Sequence, residues 1–174
     1  MHKAIFLDKD GTLVSNHGYP QKIPTSQLLT EQVIAGLQHL QKQGYTLIII
    51  SNQPWIAKGI YSRTQVETIF DRLLAQLWFY GITIHDYFYC PHQSADNCSC
   101  KKPLPELIFK AARKHSIDLS QSYFFGDLVA DVIAGKRAGV KTILVETGCG
   151  LQYSSEIKPD FVIKNINAII EVIP

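Results

Sequence analysis

The chain has 174 residues, 46% of them hydrophobic, and a formal net charge of +2. That length suits one domain spanning residues 1–174 with a sizeable core, and the apolar share excludes a disordered chain. No long basic run points to nucleic acid as a partner, and no apolar stretch approaches the ~20 residues of a membrane span. Asp8 and Asp10 interrupt the first apolar run, so it is no signal-peptide core. A soluble, cytoplasmic protein without a nucleic-acid or membrane partner is expected, with a monomer as the default state.

The first element is the run Ala4-Ile5-Phe6-Leu7, which leads straight into Asp8-Lys9-Asp10-Gly11-Thr12. A short continuous apolar run reads as a strand buried on both faces, hence parallel. Leu13 to Leu29 contains Gly18, Pro20 and Pro24 and reads as a surface loop or short flap. Thr30 is placed to cap a helix with Val33, Leu37 and Leu40 on one face, ending near Gly44. Thr46 to Ile50 is a second buried strand, and it runs into Ser51-Asn52-Gln53. Ser62 is a candidate cap for a longer helix that carries Val66, Ile69, Phe70, Leu73, Leu74, Leu77 and Trp78 at core spacing. Ile82 to Tyr89 predicts a strand, and Cys90 to Cys100 a polar loop. Pro103 suits the first turn of a helix facing in through Leu107, Ile108 and Ala111. Ser122 to Phe125 is a third short apolar run, ending in Gly126-Asp127, with Asp131 one helical turn later. A helix to Ala138, stopped by Gly139, leads to a strand at Lys141 to Val145. Phe161 to Ile163 predicts an edge strand and Ile166 to Val172 a closing helix. Strands alternating with helices define an α/β fold with a mostly parallel sheet. No insert is long enough for a separate cap domain.

Three of these strands end in polar groups: Asp8 and Asp10, Ser51, and Asp127. In a parallel sheet those ends point the same way and converge in one crevice. Burying bare carboxylates is costly, and Mg²⁺ is the hard cation that would offset it. Lys102, at a predicted helix start, is within reach of the same rim. Carboxylates, a divalent ion and an ammonium around an anionic substrate suit phosphoryl transfer, where catalysis is mostly positioning and charge stabilisation.

A second cluster is Cys90-Pro91-His92, five residues, then Cys98-Ser99-Cys100. Three thiols and one imidazole are the ligand set of a closed, structural Zn²⁺ site. Such a site would pin a loop too polar to fold by burial, and fix where Lys101 and Lys102 emerge. Cys149 stands apart with no assigned role.

D-K-D-G-T after one strand, S-N-Q after the next, K-P later and G-D-x-x-x-D last resemble the haloacid dehalogenase superfamily of aspartate-nucleophile phosphatases. The resemblance implies a Rossmann-like three-layer sandwich. It implies Asp8 as nucleophile, ionised at pH 7 without an activating base, and Asp10 as general acid and base. Ser51 and Lys102 would bind the transferring phosphoryl group. Mg²⁺ would be held by Asp8, Asp127 and the main-chain carbonyl of Asp10, with Thr12 supporting and Asp131 orienting Lys102 or the metal shell. The C-x-H…C-x-C loop narrows the resemblance to two branches, the heptose-bisphosphate phosphatases and the histidinol-phosphate phosphatases. The substrate is then a small phosphorylated metabolite met by His17, Gly18, Tyr19, Ser51, Asn52, Gln53, Lys101 and Lys102. Ile56 to Gly59 also resembles the heptose branch, with Lys58 where arginine is usual. Further departures are Lys101 in place of arginine, Leu128 in place of lysine, and Pro54-Trp55 in place of serine-glycine. A zinc-stabilised binding module without activity is the competing class, against which no motif residue is missing.

Overall fold

The computed structural model describes residues 1–15, 29–152 and 155–173. Six strands form one sheet: β1 (Ala4–Leu7), β2 (Thr46–Asn52), β3 (Asp86–Cys90), β4 (Tyr123–Gly126), β5 (Lys141–Val145) and β6 (Phe161–Ile163). All neighbours pair in parallel, in the order β3-β2-β1-β4-β5-β6. Four α-helices cover it: α1 (Ile34–Lys42), α2 (Arg63–Phe79), α3 (Glu106–His115) and α4 (Val129–Ala138). The order runs outward in both directions from β1 and β4. The topological switch point, where such sheets bind ligands, therefore lies between the ends of those two strands.

The continuous apolar runs are two interleaved sets, because successive strand side chains face opposite ways. Ile5, Leu7, Leu47, Ile49 and Phe125 join Leu37 and Leu40 of α1 and Phe70 and Leu73 of α2 in one core. Ala4, Phe6, Ile48, Ile50 and Phe124 join Leu107 and Ile108 of α3 and Ala134 and Ala138 of α4 in the other. Each buried leucine, isoleucine or phenylalanine among them contributes about 1.5–3 kcal/mol. Burial on both faces also fixes register, since a one-residue slip would exchange the two cores. That register sets Leu7 level with Ile49 on one side and Phe125 on the other. The three strand ends therefore open at one level.

The helix caps divide. Ser62 Oγ accepts from the Gln65 N–H at 3.1 Å, and Gln65 Oε1 accepts from the Ser62 N–H at 2.8 Å, a complete capping box for α2. Thr30 stands at the predicted cap position, but its hydroxyl makes no cap bond. A 3₁₀ turn, Glu31–Val33, precedes α1. Pro103 does not open a helix: the Lys102–Pro103 bond is cis, and α3 begins at Glu106. Ile82 is buried, yet pairing with β2 begins only at Asp86. The closing helix is a 3₁₀ segment, Ile166–Glu171. Trp78, expected in the core, is 70% exposed. It lies one residue past the buried Leu77, about 100° further round the helix. Of the predicted flap, Leu13, Val14 and Leu29 are buried anchors, with a bridge between Val14 and Leu29. His17, Gly18 and Tyr19 lie outside the described residues. No helix among the described residues is long and apolar enough to cross a membrane.

Candidate active site

β1 delivers Asp8 and β4 delivers Asp127, and the first turn of α4 adds Asp131. One carboxylate oxygen of each lies within 4.8 Å of the others, and all three residues are buried. Lys102 comes from the loop before α3 and reaches between them. Its Nζ donates to Asp8 Oδ1 at 2.5 Å and to the Ile50 carbonyl at 2.9 Å, and pairs with Asp131 Oδ1 at 2.7 Å. The ammonium thus makes two hydrogen bonds and one further close ion pair. Asp131 Oδ2 accepts from the Leu128 N–H at 3.0 Å, so its carboxylate spans from the start of α4 to Lys102.

The electrostatics differ from the expectation for Asp8. Its carboxyl is pushed up to about 8, by burial first; Lys102 opposes, while Asp131, Asp127 and Asp10 add to the rise. The protein's own groups therefore leave it largely protonated at neutral pH, not ionised as free aspartate is. The reason is that three buried carboxyls, Asp8, Asp127 and Asp131, gather around the one ammonium of Lys102 in a nearly dry site, with the charge of Asp10 close by. Burial also works against the Lys102 charge, but Asp131 and Asp8 outweigh it and hold its pKa above the ordinary lysine value. Asp127 is pushed up to about 6, by burial, against the pull of the Cys149 N–H.

The donor set fits a hard divalent cation. Asp127 Oδ2 accepts from the Cys149 N–H at 2.8 Å, while its buried Oδ1 has no hydrogen-bond partner. An unpartnered buried carboxylate oxygen is costly, and a cation shared with Asp8 removes that cost. The cradle is shaped for it: a Cβ on Gly11 (φ +92°) would meet Asp127 Oδ2 at 2.3 Å, and one on Gly148 would meet it at 2.2 Å.

Asp10 stands outside the Asp8, Asp127 and Asp131 group. Its Oδ1 pairs with Lys9 Nζ at 2.5 Å and its Oδ2 accepts from Gln53 Nε2 at 2.8 Å. Gln53, expected at the substrate, is fully buried, and the same Nε2 also donates to Ser51 Oγ at 2.9 Å. Ser51 is equally buried. Asn52, also expected at the substrate, lines the cleft, but its amide pairs reciprocally with the Lys102 main chain. Nδ2 donates to the carbonyl and Oδ1 accepts from the N–H, each at 3.0 Å. These two side chains hold β2 to its neighbours at the site; a polar tripeptide after a strand gives no sign of which members turn inward. Thr12 is buried. Lys9 was missed altogether, for a lysine between two aspartates reads as solvated, and here it is 1% exposed.

The cleft above has a volume of about 260 Å³, with Asp8, Asp10, Lys101 and Lys102 facing Pro54, Trp55 and Leu128. Lys101 is anchored by a 3.3 Å bond from its Nζ to the His92 carbonyl. Lys58 Nζ lies 4.6 Å from the centre of the Trp55 ring.

Beside it, Cys90, His92, Cys98 and Cys100 bring one donor atom each within 4.8 Å of one another. The sulfurs lie 3.0, 3.5 and 3.7 Å apart, and His92 Nδ1 lies 3.3 and 3.6 Å from Cys100 and Cys90. Ligands at Zn–S bonds of about 2.3 Å in a tetrahedron stand about 3.8 Å apart, close to this spacing. The thiol–imidazole set therefore fits zinc.

A sheet with this switch point, carrying buried aspartates on both sides of it and a lysine between them, is that of a HAD-type hydrolase. A family model described as HAD-hydrolase-like matches residues 99–169. The D-glycero-beta-D-manno-heptose-1,7-bisphosphate 7-phosphatase of Haemophilus ducreyi is 36% identical, over 99% of this chain and 97% of its own. The D-glycero-alpha-D-manno-heptose-1,7-bisphosphate 7-phosphatase of Photorhabdus laumondii is 38% identical, over 84% of each. The crystal structure of D,D-heptose 1,7-bisphosphate phosphatase from B. bronchiseptica, complexed with magnesium and phosphate, superposes with a TM-score of 0.87 at 28% identity, over 98% of this chain and 97% of that one. The chain belongs to the HAD-like phosphatase family that contains these heptose-bisphosphate enzymes.

Proposed function

We propose that the protein removes one phosphate from a small phosphorylated sugar, with heptose 1,7-bisphosphate as the first candidate, through an aspartyl-phosphate on Asp8. The observation that carries the reading is the meeting of Asp8, Asp127 and Lys102 at the switch point, beside a cleft lined by both carboxylates and lysines. The names of the similar enzymes supply the substrate class.

Mg²⁺ would be held by Asp8, Asp127 and the carbonyl of Asp10; when bound, it supplies charge that offsets the phosphoryl oxygens and favours ionised Asp8. Asp8 attacks phosphorus and forms the acyl phosphate while the ester oxygen leaves. Asp10 gives that oxygen a proton, and in the second step takes one from the attacking water. Lys102, fixed by Asp131 and Asn52, keeps positive charge beside the transferring group. Ser51, buried near the end of β2, would hydrogen-bond the phosphoryl oxygens. Lys101 and the segment from Pro54 to Lys58 meet the body of the substrate. The Cys90, His92, Cys98 and Cys100 zinc site holds the loop from which both lysines emerge.

Steady-state hydrolysis of heptose 1,7-bisphosphate, histidinol phosphate and a panel of sugar monophosphates tests the substrate. Histidinol phosphate is included because the C-x-H…C-x-C loop resembles that branch as well. Asp8→Asn should abolish all turnover. Wild-type inactivity on every ester would favour the binding-module alternative.

A further inference from the structure

Asp10 is held at both oxygens by side chains that never reach the cleft. Lys9 Nζ lies 2.5 Å from Oδ1, and Gln53 Nε2 donates to Oδ2 at 2.8 Å. Lys9 is 1% exposed and Gln53 0%. Neither residue is free to follow Asp10. The Lys9 carbonyl accepts from the Leu13 and Val14 N–H groups, at 3.0 and 3.1 Å, and the Gln53 N–H donates to the Cys90 carbonyl at 2.7 Å. The Gln53 amide is braced again by Ser51 Oγ at 2.9 Å. A carboxylate gripped at both oxygens from two fixed points cannot rotate about its terminal bond without breaking a charge-assisted hydrogen bond.

The grip is not explained by stability. A buried ion pair generally gains little over an apolar pair of similar size, because both charges are desolvated. Lys9 lies 5.7 Å from the centre of the Phe70 ring, at the edge of the core formed by Phe70 and its neighbours. A methionine there would pack at less desolvation cost.

We infer that Lys9 and Gln53 are positioning residues that clamp the Asp10 carboxylate, so that proton transfer to and from the ester oxygen starts from one fixed orientation. This rests on the aspartyl-phosphate reading and deepens it. A misplaced proton donor penalises a poor leaving group far more than a good one. Proton transfer of this kind contributes about 10²–10⁴-fold, and a phenolate with a low pKa needs little of it.

Lys9→Met and Gln53→Leu should each lower kcat on an alkyl phosphate, glycerol 3-phosphate, at least about tenfold more than on p-nitrophenyl phosphate, a part of that range. In an Asp10→Asn background neither change should cost anything further, since both act through the group already removed. Thermal unfolding identifies folded variants, and Gln53→Leu alone suffices if Lys9→Met does not fold. Equal losses on both esters, or losses undiminished in the Asp10→Asn background, would overturn the clamp and leave a purely structural pair. Wild-type inactivity on both esters and on every phosphate of the substrate panel, or full activity of Asp8→Asn, would instead overturn the aspartyl-phosphate reading, and the clamp with it.

Discussion

Burial and three neighbouring carboxyls push Asp8 up to about 8, while Asp127 is pushed up to about 6. At pH 7 the metal-free protein then carries Asp8 mainly protonated and Asp127 mainly ionised. A divalent ion needs both as carboxylates, so loading Mg²⁺ must release about one proton per site. Apparent affinity should therefore weaken about tenfold for each pH unit between 8 and 6, and more steeply below 6 where Asp127 also takes a proton. The stability of the metal-free protein follows the same sign. A folded pKa raised above the unfolded one gives stability that is full below about pH 4 and is lost as pH rises through 8. Added Mg²⁺ should restore it, most strongly at the alkaline end. Isothermal titration of Mg²⁺ at pH 7, in two buffers of different ionisation enthalpy, reads the proton count directly. Asp8→Asn should bring the count near zero. A wild-type count near zero, with affinity flat from pH 6 to 8, would refute the claim that this pocket holds Asp8 protonated.

Gly11→Ala should abolish Mg²⁺ binding and destabilise the protein by at least about 1 kcal/mol, since φ is +92° and the new methyl would meet Asp127 Oδ2 at 2.3 Å; calorimetry with and without Mg²⁺ checks both. Cys98→Ser should lower the zinc content of purified protein and the thermal midpoint, and slow turnover through the loop that carries Lys101 and Lys102; elemental analysis beside a melting curve reads this, and full zinc occupancy would contradict it. Away from the site, Asp86 is resisted by burial but lowered by Lys114 and His115, whose nitrogens both lie 2.7 Å from Oδ2. Stability from that cluster is present above the ordinary aspartate pKa and lost as pH falls through the lowered value, so Asp86→Asn should flatten the acid side of a plot of thermal midpoint against pH.

The order of elements and the identity of the strand-end residues were readable in the chain, for local reasons. Four apolar residues running into Asp8 can only be a short strand buried on both faces, and polar residues after three such strands must gather at one edge of a parallel sheet. The cysteine–histidine spacing likewise named its cluster, because all four donors lie on one short loop. What misled was direction around an axis: Trp78 fits a helical core pattern but is turned outward by the next step of the helix. Pro103 looks like a helix start, yet Leu104 and Pro105 pass before α3 begins at Glu106.

Within the S-N-Q segment, sequence supplied the polar atoms and tertiary structure chose their partners. Asn52 meets the Lys102 main chain 50 residues later, and Gln53 meets Asp10 43 residues earlier. No local pattern encodes such pairings, because they depend on the register that two buried cores impose on β1, β2 and β4. The same holds for protonation. An aspartate's intrinsic acidity is written in its side chain, but Asp8 departs from it because folding removes water and sets other charges around it. Covalent composition determined which groups this protein possesses; only packing decided which of them lose solvent, and a charge responds to its solvent more strongly than to its neighbours in sequence.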